Sequence, residues 1–349
     1  MVDWSLARQI ARFTAGSAQV PDLGVDLEGL SEDAENRVAD YTGLTLPGPP
    51  PAPEMIDRGT WAEINLGTLS DLLEPVAEGL SDRLDSAGPL AGPLRTAAGA
   101  TLAAEVGLVA GYMSQRVLGQ YELSLLRPEQ PARLLFVGPN LVKAIGEMSL
   151  DRDSFLAWIV FHEVTHVFQL AGVPWLRPYL AELLREYLKT VELTVQRGPA
   201  AGLHSLPNLK QVVDAYREGG LAAVVQTEEQ RGLMRRLQAV MAVIEGYSEH
   251  VMDAVGERVL PGYQKLREAM DRRREDRSAP QRILERLLGL DLKMRQYVLG
   301  KAFCDAIEES HGMVALNKVW EAPELLPELK ELGQPASWYQ RVSGERAAA

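Results

Sequence analysis

The chain has 349 residues, of which 46% are hydrophobic and 24% charged, so it can bury a sizeable core as one large domain or two closely packed ones. Its formal charge of −12 repels phosphate backbones and anionic lipid, which argues against nucleic acid and membrane surfaces as partners. The single cysteine, Cys304, excludes an intrachain disulfide framework and fits a reducing compartment. No apolar signal sequence is visible near the N-terminus, so we expect a cytoplasmic protein.

The first part of the chain predicts a helical arm. A helix is expected over residues 2–14, followed by an acidic, partly helical segment over residues 22–41. Residues 46–53, LPGPPPAP, form a proline-rich connector that neither a helix nor a central strand accommodates. We therefore predict an arm over residues 1–53 and a main domain over residues 54–349, with one continuous domain as the alternative. The residues expected to form the buried stripe of the first helix are Trp4, Leu6, Ile10 and Phe13.

The remainder of the chain predicts a mostly helical protein. Long helices are expected over residues 60–85 and 92–118, and within the second the small residues 107–111 predict a packing surface. A shorter helix is expected over residues 208–217. Residues 133–138, RLLFVG, are the best candidate for a strand because they are short, apolar and followed by proline. Since no glycine-rich phosphate loop or repeated strand–helix alternation occurs, the predicted fold class is mostly α (α+β), a helical core with a small β-sheet.

The most informative stretch is FLAWIVFHEVTHVFQLA, residues 155–171. A central core helix of this kind should be apolar, yet it carries His162, Glu163 and His166. Residues four apart lie on the same face of a helix, so both imidazoles can bind one ion, with Glu163 beside it as a general base. This is the H-E-x-x-H pattern of zinc peptidases. The alternative is a core helix whose histidines are satisfied by hydrogen bonds, although leucine or valine would fill those positions at lower cost.

A catalytic zinc has three protein ligands and one open position, so a third ligand must come from elsewhere. The helix MAVIEGYSEHVMDAV carries Glu245 and Glu249 four residues apart among apolar neighbours. We predict that Glu245 binds zinc and that Glu249 accepts a hydrogen bond from the other nitrogen of a ligating histidine. Gly246 would allow close approach to the central helix or to the metal. The alternative is a surface carboxylate pair, and the other candidate ligands are Glu182, Glu186 and His250.

Hydrolysis also requires a hydrogen-bond donor for the developing oxyanion. Tyr247 is the first candidate because it neighbours the proposed ligand Glu245, and His250 and Tyr187 follow. An extended peptide substrate needs a strand edge along which to bind, and we predict that residues 133–138 provide it.

Several segments carry a resemblance to a known family: HEVTHVFQ with GVPWLRPYL, then EGYSEHVMD and LLGLDLKMRQYVLGKAF, with further similarity in VDWSLA, GYMSQRVLGQY and RLLFVGPNL. Together they resemble a family of zincin-like hydrolases found mainly in actinobacteria, one branch of which is associated with the biosynthesis of a deazaflavin coenzyme. The chain is also similar, more distantly, to gluzincins, whose third zinc ligand is a glutamate on a later helix. That similarity implies a ligand turn at Glu245-Gly246-Tyr247 and an orienting carboxylate at Glu249.

The function predicted from these features is a zinc-dependent metallohydrolase, most simply a peptidase, with Zn²⁺ as cofactor and a peptide or another small substrate. The alternative is a noncatalytic binding or accessory protein that keeps the zincin scaffold with a structural or vestigial metal site. A zinc enclosed by four protein ligands, with His250 or Glu249 as the fourth, would produce that alternative.

Overall fold

The computed structural model describes residues 2–17, 19–85, 91–197, 227–275 and 290–344. The protein is mostly helical and contains a small three-stranded mixed sheet, which confirms the predicted fold class. Its contacts divide it into two units. Unit 1 comprises Met1–Leu30, Pro51–Ile159 and Leu188–Ala201, and unit 2 comprises Ser31–Pro50, Val160–Tyr187 and Gly202–Ala349. Each unit takes residues from both sides of the predicted arm boundary at residue 53.

The described helices and strands follow in chain order. The helices are α1 (Trp4–Ala15), α2 (Leu27–Thr42), α3 (Arg58–Asp85), α4 (Ala91–Ser114), α5 (Gly138–Met148), α6 (Arg152–Gly172), α7 (Leu176–Arg197), α8 (Glu228–Val259), α9 (Tyr263–Glu275), α10 (Leu290–His311), α11 (Met313–Leu316) and α12 (Pro335–Ser343). The strands are β1 (Pro53–Ile56), β2 (Gly119–Glu122) and β3 (Arg133–Val137). The helix predicted over residues 208–217 lies outside the described residues.

In unit 1, α1 packs against α4 through small residues. A Cβ atom at Gly107 would lie 2.5 Å from the carbonyl oxygen of Ala7, and one at Gly111 would lie 2.8 Å from the carbonyl oxygen of Ala11. The predicted packing surface over residues 107–111 is therefore confirmed. Because the two backbones approach this closely, α1 buries its alanines, whereas Phe13 is 89% exposed. The predicted buried stripe was wrong at Phe13.

The sheet of unit 1 has the order β1-β3-β2, with β1 parallel and β2 antiparallel to β3. The strand predicted over residues 133–138 is confirmed as β3. However, β3 is the central strand, and its backbone already pairs with a neighbour on each side. The prediction that residues 133–138 offer an edge for a peptide was therefore wrong, since only an edge strand has unpaired backbone groups to offer.

In unit 2, α8 begins with a capping box, in which the Thr227 side chain accepts from the backbone of Gln230 and the Gln230 side chain accepts from the backbone of Thr227. Further along, α8 crosses α10 at two glycines. A Cβ atom at Gly246 would overlap the backbone of Gly300, and one at Gly300 would overlap the carbonyl group of Ala242. Gly246 therefore permits a close helix approach, as predicted, but the partner is α10 rather than the central helix or a metal.

Helix α6 ends at Gly172, where an added Cβ atom would lie 2.6 Å from the carbonyl oxygen of Thr45. Helix α7 begins four residues later, at Leu176.

Within the described ranges, no single helix is both long and apolar enough to cross a membrane. Helix α6 and the first part of α7 reach that length and apolarity only as a pair, bent by 84° at the break.

Replacement Gly246→Ala tests the crossing of α8 and α10. The added methyl group must displace the backbone of α10, so we expect the free energy of unfolding to fall by about 1–3 kcal/mol, measured by urea denaturation. The matched control is Gly232→Ala in the same helix, where an added Cβ atom meets nothing within 4 Å. There the higher helix propensity of alanine should stabilise the protein by up to about 1 kcal/mol. Equal stabilities of the two variants would show that the backbones do not meet at Gly246.

Candidate metal centre

Three side chains that the sequence predicts as ligands converge in unit 2. His162 and His166 lie on one face of α6, and Glu245 lies on α8. The Nε2 atoms of the two histidines are 3.1 Å apart. Glu245 Oε2 lies 3.6 Å from His162 Nε2 and 3.7 Å from His166 Nε2. Among the described residues, these three form a group whose ligand atoms all lie within 4.8 Å of one another. We call this group the triad.

The spacing of the triad fits a zinc ion. Zinc bonds to nitrogen and carboxylate oxygen are about 2.0–2.2 Å long, so at tetrahedral angles the ligand atoms lie about 3.3–3.6 Å apart. The three observed separations, between 3.1 and 3.7 Å, bracket that range. Two imidazoles and one carboxylate are also the donor set of a common class of catalytic zinc sites.

The charges around the triad favour a cation. Desolvation opposes protonation of His162, but the nearby carboxylate of Glu245 and the charges of Glu163 and Glu249 outweigh it and raise its pKa to about 9. Desolvation lowers the pKa of His166 to about 4; Glu245 opposes the shift and the neighbouring His162 adds to it. Positive charge is thus stabilised at the imidazole of His162, whereas the imidazole of His166 stays neutral and keeps a free lone pair. Two further carboxylates, Glu163 and Glu249, lie close enough to act on the pKa of His162.

A residue that the sequence analysis missed, Gln169, holds His166 in orientation. The Gln169 amide nitrogen donates to the carbonyl oxygen of Ile244 at 2.9 Å, so its amide oxygen is the atom that faces His166 Nδ1, also at 2.9 Å. Because an amide oxygen only accepts, Nδ1 of His166 carries the hydrogen and Nε2 presents its lone pair towards the triad. The hydroxyl of Ser248 also donates to the Gln169 oxygen, at 3.0 Å.

The sequence contained a signal for Gln169. It lies three residues after His166, a spacing that places both side chains on the same face of a helix. In the structure Gln169 is fully buried. A buried amide on the face that carries a ligand is a candidate for orienting that ligand, because its polar atoms need partners. The pattern H-x-x-Q was overlooked because it lies in the last turns of an apolar helix, where polar residues are ordinary.

Glu249 does not have the predicted role of accepting a hydrogen bond from a ligating histidine. The partner of His166 Nδ1 is Gln169, with Ser248 nearby, and not Glu249. His162 Nδ1 is buried and has no hydrogen-bond partner among the described residues, so the predicted bond to Glu249 is not formed there either. Glu249 lies one turn after Glu245 on α8 and acts on His162 through its charge.

Tyr247, the first predicted oxyanion donor, is not brought to the triad. It lies two residues after Glu245, about 200° further round the helix. Its side chain is fully buried, its hydroxyl donates to Asn317 Oδ1 at 2.7 Å, and its ring packs edge-on against Trp320. Burial raises its pKa well above the ordinary value. The side chain therefore belongs to the core of unit 2, and its hydroxyl is committed to Asn317.

His250 is also engaged elsewhere. Its Nε2 lies 2.8 Å from the hydroxyl of Tyr41, and its Nδ1 lies 2.8 Å from Asp305 Oδ1. With both ring nitrogens hydrogen-bonded, His250 has no lone pair to offer as a fourth ligand. The remaining ligand candidates, Glu182 and Glu186, do not belong to the triad either. Glu182 is exposed and forms an ion pair with Arg185. Tyr187, the last candidate for the oxyanion donor, is a partly buried residue of α7.

Comparison with known proteins decides the family. A family model described as zincin-like metallopeptidase matches residues 2–339. The chain belongs to the zincin-like metallopeptidase family. The crystal structure of a protein from Chloroflexus aurantiacus, described as a "putative hydrolase with a novel fold", has 31% sequence identity and a TM-score of 0.71, and the match covers 99% of this chain and 100% of the other. No functionally curated protein matches the chain.

The family match confirms that the chain is zincin-like, as HEVTHVFQ and its companion segments predicted, whereas the more specific similarity to gluzincins stays a prediction. It implies a metal site, and the triad is a group of side chains that fits one. The association with actinobacteria and with a deazaflavin coenzyme stays a prediction.

Replacement Gln169→Met tests the orienting role of the amide in this zincin-like protein. The thioether keeps the volume but removes both hydrogen bonds, so His166 loses the acceptor that fixes its tautomer. We expect the affinity for zinc to fall by about 10–100-fold, measured by competition with a chromogenic chelator. Ser248→Ala is the matched control, because it removes the hydroxyl that contacts both His166 Nδ1 and the Gln169 oxygen but leaves the amide in place, so its loss should be smaller. Unchanged zinc affinity in Gln169→Met would exclude the role.

Proposed function

We propose that this zincin-like protein is a zinc-dependent hydrolase and that its reaction is the hydrolysis of peptide bonds. The observation that carries the proposal is the convergence of His162 Nε2, His166 Nε2 and a Glu245 oxygen within 4.8 Å on two helices. Membership of the zincin-like metallopeptidase family supports the reaction class. The buried cysteine Cys304 fits a cytoplasmic location, which belongs to the same proposal.

Accessibility favours a catalytic rather than a purely structural site. The side chains of His162, His166 and Glu245 are 19%, 12% and 25% exposed, so none of the three proposed ligands is fully enclosed by protein. A structural zinc is enclosed by four protein ligands, whereas a catalytic zinc has three protein ligands and a fourth position that water or substrate occupies. The triad supplies three. Of the two residues predicted as a fourth, His250 is held by Tyr41 and Asp305, and Glu249 does not belong to the group of converging ligand atoms.

In the proposed reaction, His162, His166 and Glu245 would hold the zinc. Bound zinc would supply Lewis acidity, which makes a water molecule easier to deprotonate near neutral pH. Gln169 keeps the Nε2 lone pair of His166 directed towards the triad, as its hydrogen bond to Nδ1 requires. The protein thereby fixes the ligands before substrate arrives, so little reorganisation is needed during the reaction.

Glu163 acts as the general base. It follows His162 directly in α6, it is 6% exposed, and its charge acts on the His162 ring. Glu163 takes a proton from the attacking water as the water oxygen bonds to the carbonyl carbon of the substrate. It then delivers that proton to the amide nitrogen as the carbon–nitrogen bond breaks. The products are a carboxylic acid and an amine, and Glu163 returns to its starting state.

Replacement Glu163→Gln tests the general base. We expect peptide hydrolysis to fall by about 10²–10⁴-fold while one zinc per chain is retained, because Glu163 is not a ligand. The assay is cleavage of a quenched fluorescent peptide library by the zinc-loaded protein, with zinc counted by elemental analysis. Glu182→Gln on the exposed face of α7 is the control for loss of one carboxylate. Unchanged cleavage would remove the general-base role, and a zinc-loaded wild type that cleaves no peptide would favour the noncatalytic binding or accessory protein.

A further inference from the structure

A cavity lies against another part of α8. Described residues of unit 2 bound a cavity of about 550 Å³, between the first half of α8, Tyr179 of α7 and residues 323–330. Arg236, which lines it, precedes Glu245 by nine residues, which places it about 13 Å away along the helix axis and on the opposite face. The cavity is therefore separate from the triad. Its volume lies within the range of about 300–1,000 Å³ that small-molecule sites occupy.

The charged side chains of this cavity leave one cation and one anion available. Arg341 is neutralised by Glu331 at 2.8 Å, and Lys330 by Glu328 at 2.9 Å. Arg235 pairs more loosely with Glu228, at 3.7 Å. Two lining residues, Arg236 and Glu324, form no ion pair within the part of the chain that the structure describes.

Arg236, Glu324 and Tyr179 line the same cavity. Burial raises the pKa of Tyr179, the charge of Arg236 opposes that rise, and the charges of Glu324 and Glu186 add to it. Part of the wall is apolar, since it includes Val240 and Leu326, which are 1% and 8% exposed. The cavity thus combines a cation, an anion and a phenol with an apolar wall.

The wall formed by residues 323–330 is fixed in place by α12. The Arg341 guanidinium donates to both carboxylate oxygens of Glu331 and to the backbone carbonyl oxygens of Glu324 and Leu326, all at 2.8–2.9 Å. One buried carboxylate and one arginine therefore hold the segment that carries Glu324. A ligand would not have to order this segment, so binding avoids that entropic cost.

One wall position is a glycine that packing does not require. Gly232 lines the cavity within α8, where glycine costs about 1 kcal/mol of stability relative to alanine. An added Cβ atom there would meet nothing within 4 Å. This differs from Gly246 in the same helix, where the backbone of α10 leaves no room. The absence of a side chain at Gly232 keeps the cavity open.

We propose that this cavity binds a zwitterionic small molecule with an apolar side chain, namely an amino acid or a short peptide. Arg236 pairs with the carboxylate of the ligand, Glu324 pairs with its ammonium group, and the wall at Val240 and Leu326 packs against its side chain. The Tyr179 hydroxyl supplies a hydrogen bond beside the two charges. The proposal is independent of the hydrolytic reaction, because none of these residues belongs to the triad.

Isothermal titration calorimetry tests the proposal with two probes, L-leucine and L-leucyl-L-leucine. The dipeptide is titrated into the Glu163→Gln variant so that it is not consumed. We expect one saturable site per chain for at least one probe, and the stronger binder identifies a free amino acid or a peptide as the ligand. Two analogues of leucine, 4-methylpentanoate and 3-methylbutylamine, each lack one charge and should bind roughly tenfold more weakly or worse.

Variants locate the binding. Gly232→Leu fills the cavity without meeting a described atom at its Cβ, and Arg236→Ala removes the cation, so each should weaken binding roughly tenfold or more. Their controls are Gly146→Leu, another helical glycine with open space around it, and Arg272→Ala, an exposed arginine outside the cavity. Thermal melting checks that each variant is folded. The proposal is overturned if neither probe saturates, if the singly charged analogues bind as well as leucine, or if folded Gly232→Leu binds as the wild type does.

Discussion

Gln169 joins α6 to α8 through two hydrogen bonds of one buried amide, and the geometry of the triad follows from them. The amide oxygen fixes the ring of His166, and the amide nitrogen holds the carbonyl group of Ile244, the residue before Glu245. A rotation of the amide would break both bonds at once. The orientation of one ligand and the position of the turn that carries another are therefore coupled through a single side chain.

The opposite side of α8 is fixed by a different kind of contact. Glu245 faces α6, whereas the next residue, Gly246, meets Gly300 of α10 backbone to backbone. Further along the same crossing, His250 bonds Asp305, whose carboxylate also accepts from Lys301 at 2.8 Å. Burial works against the ionised form of Asp305, but the hydrogen bonds to His250 and Lys301 outweigh it and hold the pKa of Asp305 below its usual value. Helix α8 is thus held between a hydrogen-bonded face and a close-packed face, and Glu245 lies at the boundary between them.

Local spacing explains what could be predicted from the sequence. The two histidines lie four residues apart on one helix, and a carboxylate within an apolar helix requires a strong partner, so the members of the triad could be named without a structure. The prediction that Tyr247 faces the triad failed because it depended on contacts that are distant in the sequence. Its direction depends on how α8 is rotated about its axis, which is decided by Asn317 and Trp320, some seventy residues away in the chain. Sequence neighbours do not reveal that rotation.

The same distinction applies to the sheet. The apolar pattern of β3 is local and predicted a strand, but its central position depends on pairing with two short strands, Pro53–Ile56 and Gly119–Glu122. Each has only four residues, and the first begins within the proline-rich connector, so neither gives a periodic signal of its own. Strand existence was therefore predictable, whereas strand order was not.

The central claim is that one zinc ion binds at the triad, and anomalous diffraction tests it most directly. Crystals of the zinc-loaded protein would be measured on both sides of the zinc absorption edge. The account predicts one anomalous peak per chain, about 2.0–2.2 Å from His162 Nε2, from His166 Nε2 and from a carboxylate oxygen of Glu245. A zinc peak bound by other residues, or no peak at the triad in crystals that contain one zinc per chain, would contradict it.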